Sequence, residues 1–194
     1  NRLPIKTRTI RFEREAIEEA LLRELNRGGQ VYFVHNRIES IHEVAREIAS
    51  IVPRARLAVA HGRLDEEELE RLMLDFIDGR YDILLSTTII ENGLDIPNVN
   101  TIIINRADTF GLAQLYQLRG RVGRDVRQAY AYLILPPGQA ITPAAVKRLE
   151  ALEEFTELGM GFAIAMRDME IRGTGNILGR EQHGAITDVG FEMY

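Results

Sequence analysis

Between Gln117 and Arg124 the chain reads Gln-Leu-Arg-Gly-Arg-Val-Gly-Arg, which puts three guanidinium groups, Arg119, Arg121 and Arg124, within six residues. Gly120 and Gly123 lie between them. Glycine costs about 1 kcal/mol in a helix interior, so two in so short a stretch point to close backbone approach rather than helix stability. If the stretch is helical, Arg121 and Arg124 stand at i, i+3 and face one side. Planar, permanently charged forks on one face suit a polyphosphate whose charge is delocalised in a transition state. Taken alone, an Arg-Gly cluster also reads as a solvated basic turn. Its neighbours favour the phosphate reading.

A second stretch with chemistry in it runs from Thr87 to Pro97 and follows an apolar, strand-like run. Two hydroxyls with their amides, Thr87 and Thr88, can hold a nucleic-acid phosphate at a strand end. Gly93 allows close approach or positive φ, and Asp95 offers a carboxylate to a ribose hydroxyl or an arginine. The same residues also fit an ordinary strand-to-helix loop with an N-capping aspartate, and both readings stay open. Gly173-Thr174-Gly175-Asn176-Ile177-Leu178-Gly179 loosely mimics a dinucleotide fingerprint, but its third glycine is one residue late and no strong strand precedes it. A hinge or loop fits it better.

Several parts of a phosphate-cleaving site are missing. The sequence has no Gly-x-x-x-x-Gly-Lys-Ser/Thr loop and no Asp-Glu pair placed after a strand to hold magnesium. Arginines without a phosphate cradle imply that the cradle lies elsewhere. There is no cysteine, and the four histidines (His35, His42, His61 and His183) show no ligand spacing beside carboxylates. A metal held by this chain alone is not expected.

At 194 residues and 45% hydrophobic, the chain is long enough for one substantial core, or a core plus an appendage. Its formal net charge of -5 argues against a uniformly basic DNA-coating protein. From Thr101 to Arg148, however, seven basic residues face two acidic ones, so this segment carries +5 and the remainder -10. A local basic patch on an acidic body fits phosphate binding at one defined surface. No apolar run approaches a membrane span, no signal peptide opens the sequence, and no membrane partner is expected. The chain starts at Asn1 without a methionine and is expected to be a piece of a longer protein.

The elements that must position these residues alternate. Strand patterns at 31–34, 56–60, 82–86, 101–104 and 129–135 are separated by helical stripes: Ala16 to Leu25, Ile38 to Ile48, Leu69 to Phe76, and 112–118. Residues 4–12 read as an extended lead-in, and Asp65 with Glu68 resembles a capping box. Continuous apolar strands between helices predict an α/β fold with a mostly parallel sheet covered on both faces. Ligands of such sheets sit outside the carboxyl ends of the strands. The residues there are His35-Asn36-Arg37, His61-Gly62-Arg63, Thr87-Thr88 and Asn105-Arg106, which are polar, basic or small each time. After Pro136-Pro137, Thr142-Pro143 opens a helical stripe that Gly159-Met160-Gly161 breaks, so a helical hairpin outside the sheet is predicted, followed by a glycine-rich loop.

The blocks Val31–Arg37, Ile83–Pro97 and Gln114–Arg124 resemble motifs four, five and six of the superfamily-two helicases, in order. Gly161–Gly184 resembles the translocation motif shared by the RecG and transcription-repair coupling factor (Mfd) families. The wording between motifs is closer to the coupling factors, notably Leu3-Pro4-Ile5-Lys6-Thr7, Arg27-Gly28-Gly29-Gln30-Val31, Arg106-Ala107-Asp108 and Gly190-Phe191-Glu192-Met193-Tyr194. The resemblance implies a second RecA-like translocase domain over residues 1–138. A translocation-motif helical hairpin and hooked loop would occupy 139–194.

It also implies that ATP with Mg²⁺ lies between this domain and a first RecA-like domain that supplies the Walker motifs. Arg121 and Arg124 then take the place of arginine fingers, with Gln117 and Arg119 in support. Gly93 and Asp95 line the nucleotide. Asn36, Arg37, His61, Gly62, Arg63, Thr87 and Thr88 follow the DNA backbone, and Arg172 and Gln182 couple the hairpin to the core. The implied partners are double-stranded DNA and, through other domains, RNA polymerase and excision-repair proteins, in a bacterial cytoplasm. Two alternatives remain. One is a RecG-like remodeller of branched DNA. The other is that the piece alone, lacking Walker motifs, is an inactive binding module.

Overall fold

The computed structural model describes residues 5–88, 99–123, 126–138, 141–154, 167 and 171. Runs such as Val31-Tyr32-Phe33-Val34 and Ile102-Ile103-Ile104 offer no polar face to water, so their strands need cover on both sides. They receive it. The strands are β1 (Lys6–Arg11), β2 (Gln30–Val34), β3 (Leu57–Ala60), β4 (Ile83–Ser86), β5 (Val99–Ile104) and β6 (Tyr130–Leu135). They form one sheet in the order β1-β6-β5-β2-β4-β3, every pair parallel. The lead-in predicted at residues 4–12 is therefore a paired edge strand beside β6.

The helices are α1 (Arg14–Leu25), α2 (Ile41–Ile51), α3 (Glu66–Ile77), α4 (Leu112–Arg119) and α5 (Pro143–Glu154), with a short 3-10 helix at Ala107–Thr109. Alternation along the strands divides the core. Val31, Phe33, Ile83, Leu85 and Ile103 pack with Ile17 and Leu21 of α1 and Ile41 and Ile48 of α2. Tyr32, Val34, Leu84, Ile102 and Ile104 pack with Met73 and Phe76 of α3, Leu115 and Leu118 of α4, and Leu149 and Leu152 of α5. A fully buried side chain of the size of Phe76 contributes about 1.5–3 kcal/mol by its burial. Asp65 caps α3, accepting from the Glu68 amide at 2.7 Å.

The α/β, mostly parallel sheet with helices on both faces is thus as expected. One element sits differently. Leu149 and Leu152 of α5 are buried in the same core as the sheet, while Val146 is exposed, and the helix lies against β1, so it covers the sheet rather than standing outside it. The second helix of the predicted hairpin and the hooked loop lie outside the described residues, as do Arg172 and Gln182.

Candidate nucleotide and nucleic-acid sites

Parallel register brings several strand ends level. Val34 stands opposite Ser86 and Ile104, and Ala60 opposite Ser86. The next residues, His35, His61, Thr87 and Asn105, therefore leave the sheet along one edge, and side chains knit that edge together. Thr88 donates its hydroxyl to Asn36 Oδ1 at 2.9 Å and its amide to the same oxygen at 3.3 Å. The Arg106 amide donates to Asn105 Oδ1 at 3.1 Å, which turns the Asn105 amide nitrogen toward His35 Nδ1 at 3.0 Å. His35 Nδ1 is then the acceptor, and Nε2–H donates to Ser40 Oγ at 2.8 Å.

This neutral tautomer agrees with the direction of the His35 pKa, lowered by burial and by the charges of Arg37 and Arg106. Burial, His42 and Arg63 likewise lower that of His61, whose ring meets His42 edge-on at 5.7 Å. The fixed positive charge of the edge comes from Arg37 and Arg63, both exposed, and from Arg106. Arg106 holds a left-handed backbone, φ 52°, unusual for a residue with a Cβ. Its guanidinium makes two 3.2 Å bonds to the Asp108 carboxylate. A cleft of about 640 Å³ opens here, lined among others by His35, Asn36, Arg37, Ser40, Asn105 and Arg106.

The two threonines do not present donors in the way the sequence suggested. The Thr87 hydroxyl is buried and has no partner among the described residues, and its amide donates to the Ala60 carbonyl at 3.2 Å. Thr88 bonds to Asn36. They close the edge, while Asn36, Arg37, Gly62 and Arg63 are exposed along it and His61 is half-buried. Asn105 and Arg106, named in the sequence as strand-end residues, line the cleft because β5 pairs with β2 in the sheet, and Ser40 is a lining residue that the sequence reading did not single out.

The arginine cluster is elsewhere. α4 ends at Arg119, and the chain then turns, with the Arg121 amide on the Leu118 carbonyl at 3.0 Å and Gly123 at φ 85°. Only Gly123 needs to be glycine for its conformation. Gly120 has a helical φ, and an added Cβ would meet only ordinary contacts there. Arg121 is thus not part of a continuing helix, and it lies on the path into the amino end of β6, away from the carboxyl edge. Its half-buried guanidinium has no hydrogen-bond or ion-pair partner among the described residues. Gln117 is exposed on α4.

Arg119 differs from both. It is 2% exposed and donates to the Leu152 carbonyl at 2.8 Å and to Thr7 Oγ1 at 3.3 Å. Burial lowers its pKa. Its guanidinium, expected in support of the nucleotide site, is here an internal tie between α4, α5 and β1. Arg124, Gly93 and Asp95 lie outside the described residues.

Among the described residues no group of three or more His, Cys, Asp or Glu could hold a metal ion. Among them, too, no helix is long and apolar enough to cross a membrane.

A family model for the helicase conserved C-terminal domain matches residues 13–126. The transcription-repair-coupling factors of Bacillus subtilis (strain 168) and Myxococcus xanthus are 56% and 53% identical to it over 194 residues. That is 100% of this chain but 16% of each relative, so the chain spans about a sixth of the curated relatives it matches. A solved structure of RecG bound to a three-way DNA junction is similar with a TM-score of 0.76 and 39% identity, over 99% of this chain and 24% of that one. The C-terminal domain of the DEAD-box protein Dbp5 is alike in fold, with a TM-score of 0.56 at 23% identity, over 78% of this chain and 84% of that one. On these grounds the chain belongs to the helicase conserved C-terminal domain family and has its RecA-like fold.

Proposed function

We propose that this chain is the second RecA-like domain of an ATP-driven double-stranded DNA translocase of the transcription-repair-coupling type. The observation that carries the proposal is the 56% identity to a coupling factor over all 194 residues, the arginine turn included. In the whole protein it displaces stalled RNA polymerase and couples transcription to excision repair in the bacterial cytoplasm. The division at residue 138, with a translocation motif from 139 onward, belongs to the same proposal.

The two sites divide the labour. Asn36, Arg37 and the His61-Gly62-Arg63 turn, backed by Thr87 and Thr88, grip backbone phosphates, which suits a motor that must hold any sequence. Arg121 and Arg124 approach the γ-phosphate from the α4 flank, with Gln117 beside them and with Gly93 and Asp95 lining the nucleotide. A half-buried guanidinium without a partner among the described residues fits phosphate oxygens by charge and geometry. ATP with Mg²⁺, held mainly by a first RecA-like domain of the same protein, supplies the phosphoryl group and its counter-charge. Because the fingers and the cradle are on different domains, hydrolysis requires closure between them. Arg172 and Gln182 relay that closure to the hairpin.

The test is DNA-stimulated ATP hydrolysis by the full-length parent protein carrying Arg121→Ala or Arg124→Ala. Turnover should fall about a thousandfold or more with nucleotide affinity within about tenfold, because a finger acts on the transition state. Turnover that persists in both variants overturns the finger assignment. Equal stimulation by linear duplex and branched junction supports the coupling-factor reading, and strong junction preference the RecG-like one. The isolated chain should not hydrolyse ATP. DNA-stimulated hydrolysis by it refutes the split site.

A further inference from the structure

Arg119 before Arg121 and Gln128 after it are each tied to a distant element, and the tie at Gln128 comes from the other face of the sheet. Glu24, in the last turn of α1, is fully buried. Its carboxylate accepts from Arg27 twice, Nε to Oε2 at 2.9 Å and Nη2 to Oε1 at 2.6 Å, and also from the Thr101 hydroxyl. Gly29 leaves room for this carboxylate, since a Cβ there would overlap it. The Arg27 guanidinium also donates to the Gln128 carbonyl at 2.7 Å, and Arg127 Nη1 returns a bond to the Arg27 carbonyl at 3.1 Å. The rings of Tyr130 and Tyr132 stack just beyond, with Arg23 and Arg27 over Tyr130 at 5.0 and 5.6 Å.

Stability alone is a poor account of this arrangement. Glu24 is fully buried and Arg27 half-buried, and replacing an ion pair withdrawn from water with apolar groups of similar volume is often neutral for stability. Apolar groups cannot, however, hold a carbonyl in one place. Gln128 lies a few residues past Arg121, on the same connection between α4 and β6. The other end of that connection is fixed by Arg119 through the Leu152 carbonyl.

We propose that Glu24 and Arg27 are positioning residues for the arginine turn. The carboxylate fixes the guanidinium, the guanidinium fixes the Gln128 carbonyl, and the turn bearing Arg121 is thereby held in the geometry from which it meets a phosphate. This rests on the reading of Arg121 as a finger. Misplacement of a catalytic group by about 1 Å can cost on the order of a hundredfold in rate. Neither Glu24 nor Arg27 needs to touch the nucleotide.

The experiment uses the full-length parent protein with the double substitution Glu24→Gln/Arg27→Met, which removes both charges and keeps the volume. DNA-stimulated kcat should fall about tenfold or more, with the KM for ATP and the affinity for duplex DNA within about threefold. Arg27→Lys should recover part of the loss, because an ammonium can still reach one acceptor. It also supplies the kinetic readout if the double variant does not fold. A core truncation at the far end of the sheet, Met73→Ala, controls for general destabilisation and should leave kcat near wild type. A kcat within twofold of wild type in the double variant, or an equal fall in Met73→Ala, overturns the proposal. Arg121→Ala in the same series keeps the two questions apart. If it leaves turnover intact, the finger reading has failed; if it abolishes turnover while the Glu24 and Arg27 variants are unaffected, only the positioning role has.

Discussion

Arg119 and Arg121 are two residues apart but differ in their surroundings, Arg119 being tied inside the protein and Arg121 being the proposed finger, so substituting each should separate stability from turnover. Arg119 donates a charge-assisted bond to the Leu152 carbonyl at 2.8 Å, an interaction worth about 1.5–3 kcal/mol. Its bond to Thr7 at 3.3 Å is long, and its place 5.7 Å from the Tyr116 ring adds about 0.5–1 kcal/mol. Against these stands the burial of a guanidinium with no carboxylate beside it among the described residues, the same burial that lowers its pKa. The net loss on Arg119→Ala should be about 2–3 kcal/mol. Arg119→Met keeps most of the aliphatic stem and removes the buried charge, so it should lose less.

The Arg121 side chain has no such ties among the described residues, and Arg121→Ala should stay within about 0.5 kcal/mol of the parent. Equilibrium urea unfolding of this chain measures all three. Turnover in the full-length protein should rank the other way, with Arg121→Ala down about a thousandfold and Arg119→Met within about tenfold of wild type. If Arg121→Ala unfolds as readily as Arg119→Ala, or Arg119→Met abolishes turnover, the division of roles is wrong.

Two further outcomes concern the sheet edges. Burial alone would raise the Asp82 pKa, but the bonds from the Arg56 side chain and amide outweigh it and hold the carboxyl low. A depressed native pKa contributes stability that is present above the unfolded value of about 3.9 and is lost as pH falls through the native one. Asp82→Asn should therefore be less stable at pH 7 and converge with the parent toward pH 2 in urea titrations. Parallel curves would show that the pair is not linked to pH. At the opposite edge, Arg37→Ala in the full-length protein should weaken duplex binding regardless of sequence and reduce the salt slope of log K by about 0.9, one phosphate contact. An unchanged slope would remove Arg37 from the DNA path.

The sequence by itself settled the architecture, because periodicity is a local property. Unbroken runs such as Val31–Val34 require cover on both faces, and the stripes of α1 to α4 supply it wherever the loops allow. Motif wording from Gln117 to Arg124 likewise marked the arginine turn without coordinates. What only the tertiary structure decided is which polar atoms remain available once neighbours are in place. Arg119, Arg121, Thr87 and Thr88 all read as candidate donors in one dimension. Yet Arg119 is committed to Leu152 and Thr88 to Asn36, partners 33 and 52 residues away.

The pairing of β5 with β2 joined Asn105 to His35, and the return of β6 to the amino edge set the arginine turn apart from the strand-end loops. The tie from Arg27 to Gln128 spans 101 residues and leaves no periodic trace, because a single hydrogen bond between distant segments imposes no repeating pattern on either. Burial follows from patterns along the chain, whereas the satisfaction of each buried polar group depends on which segments meet, and that is decided only when the chain folds.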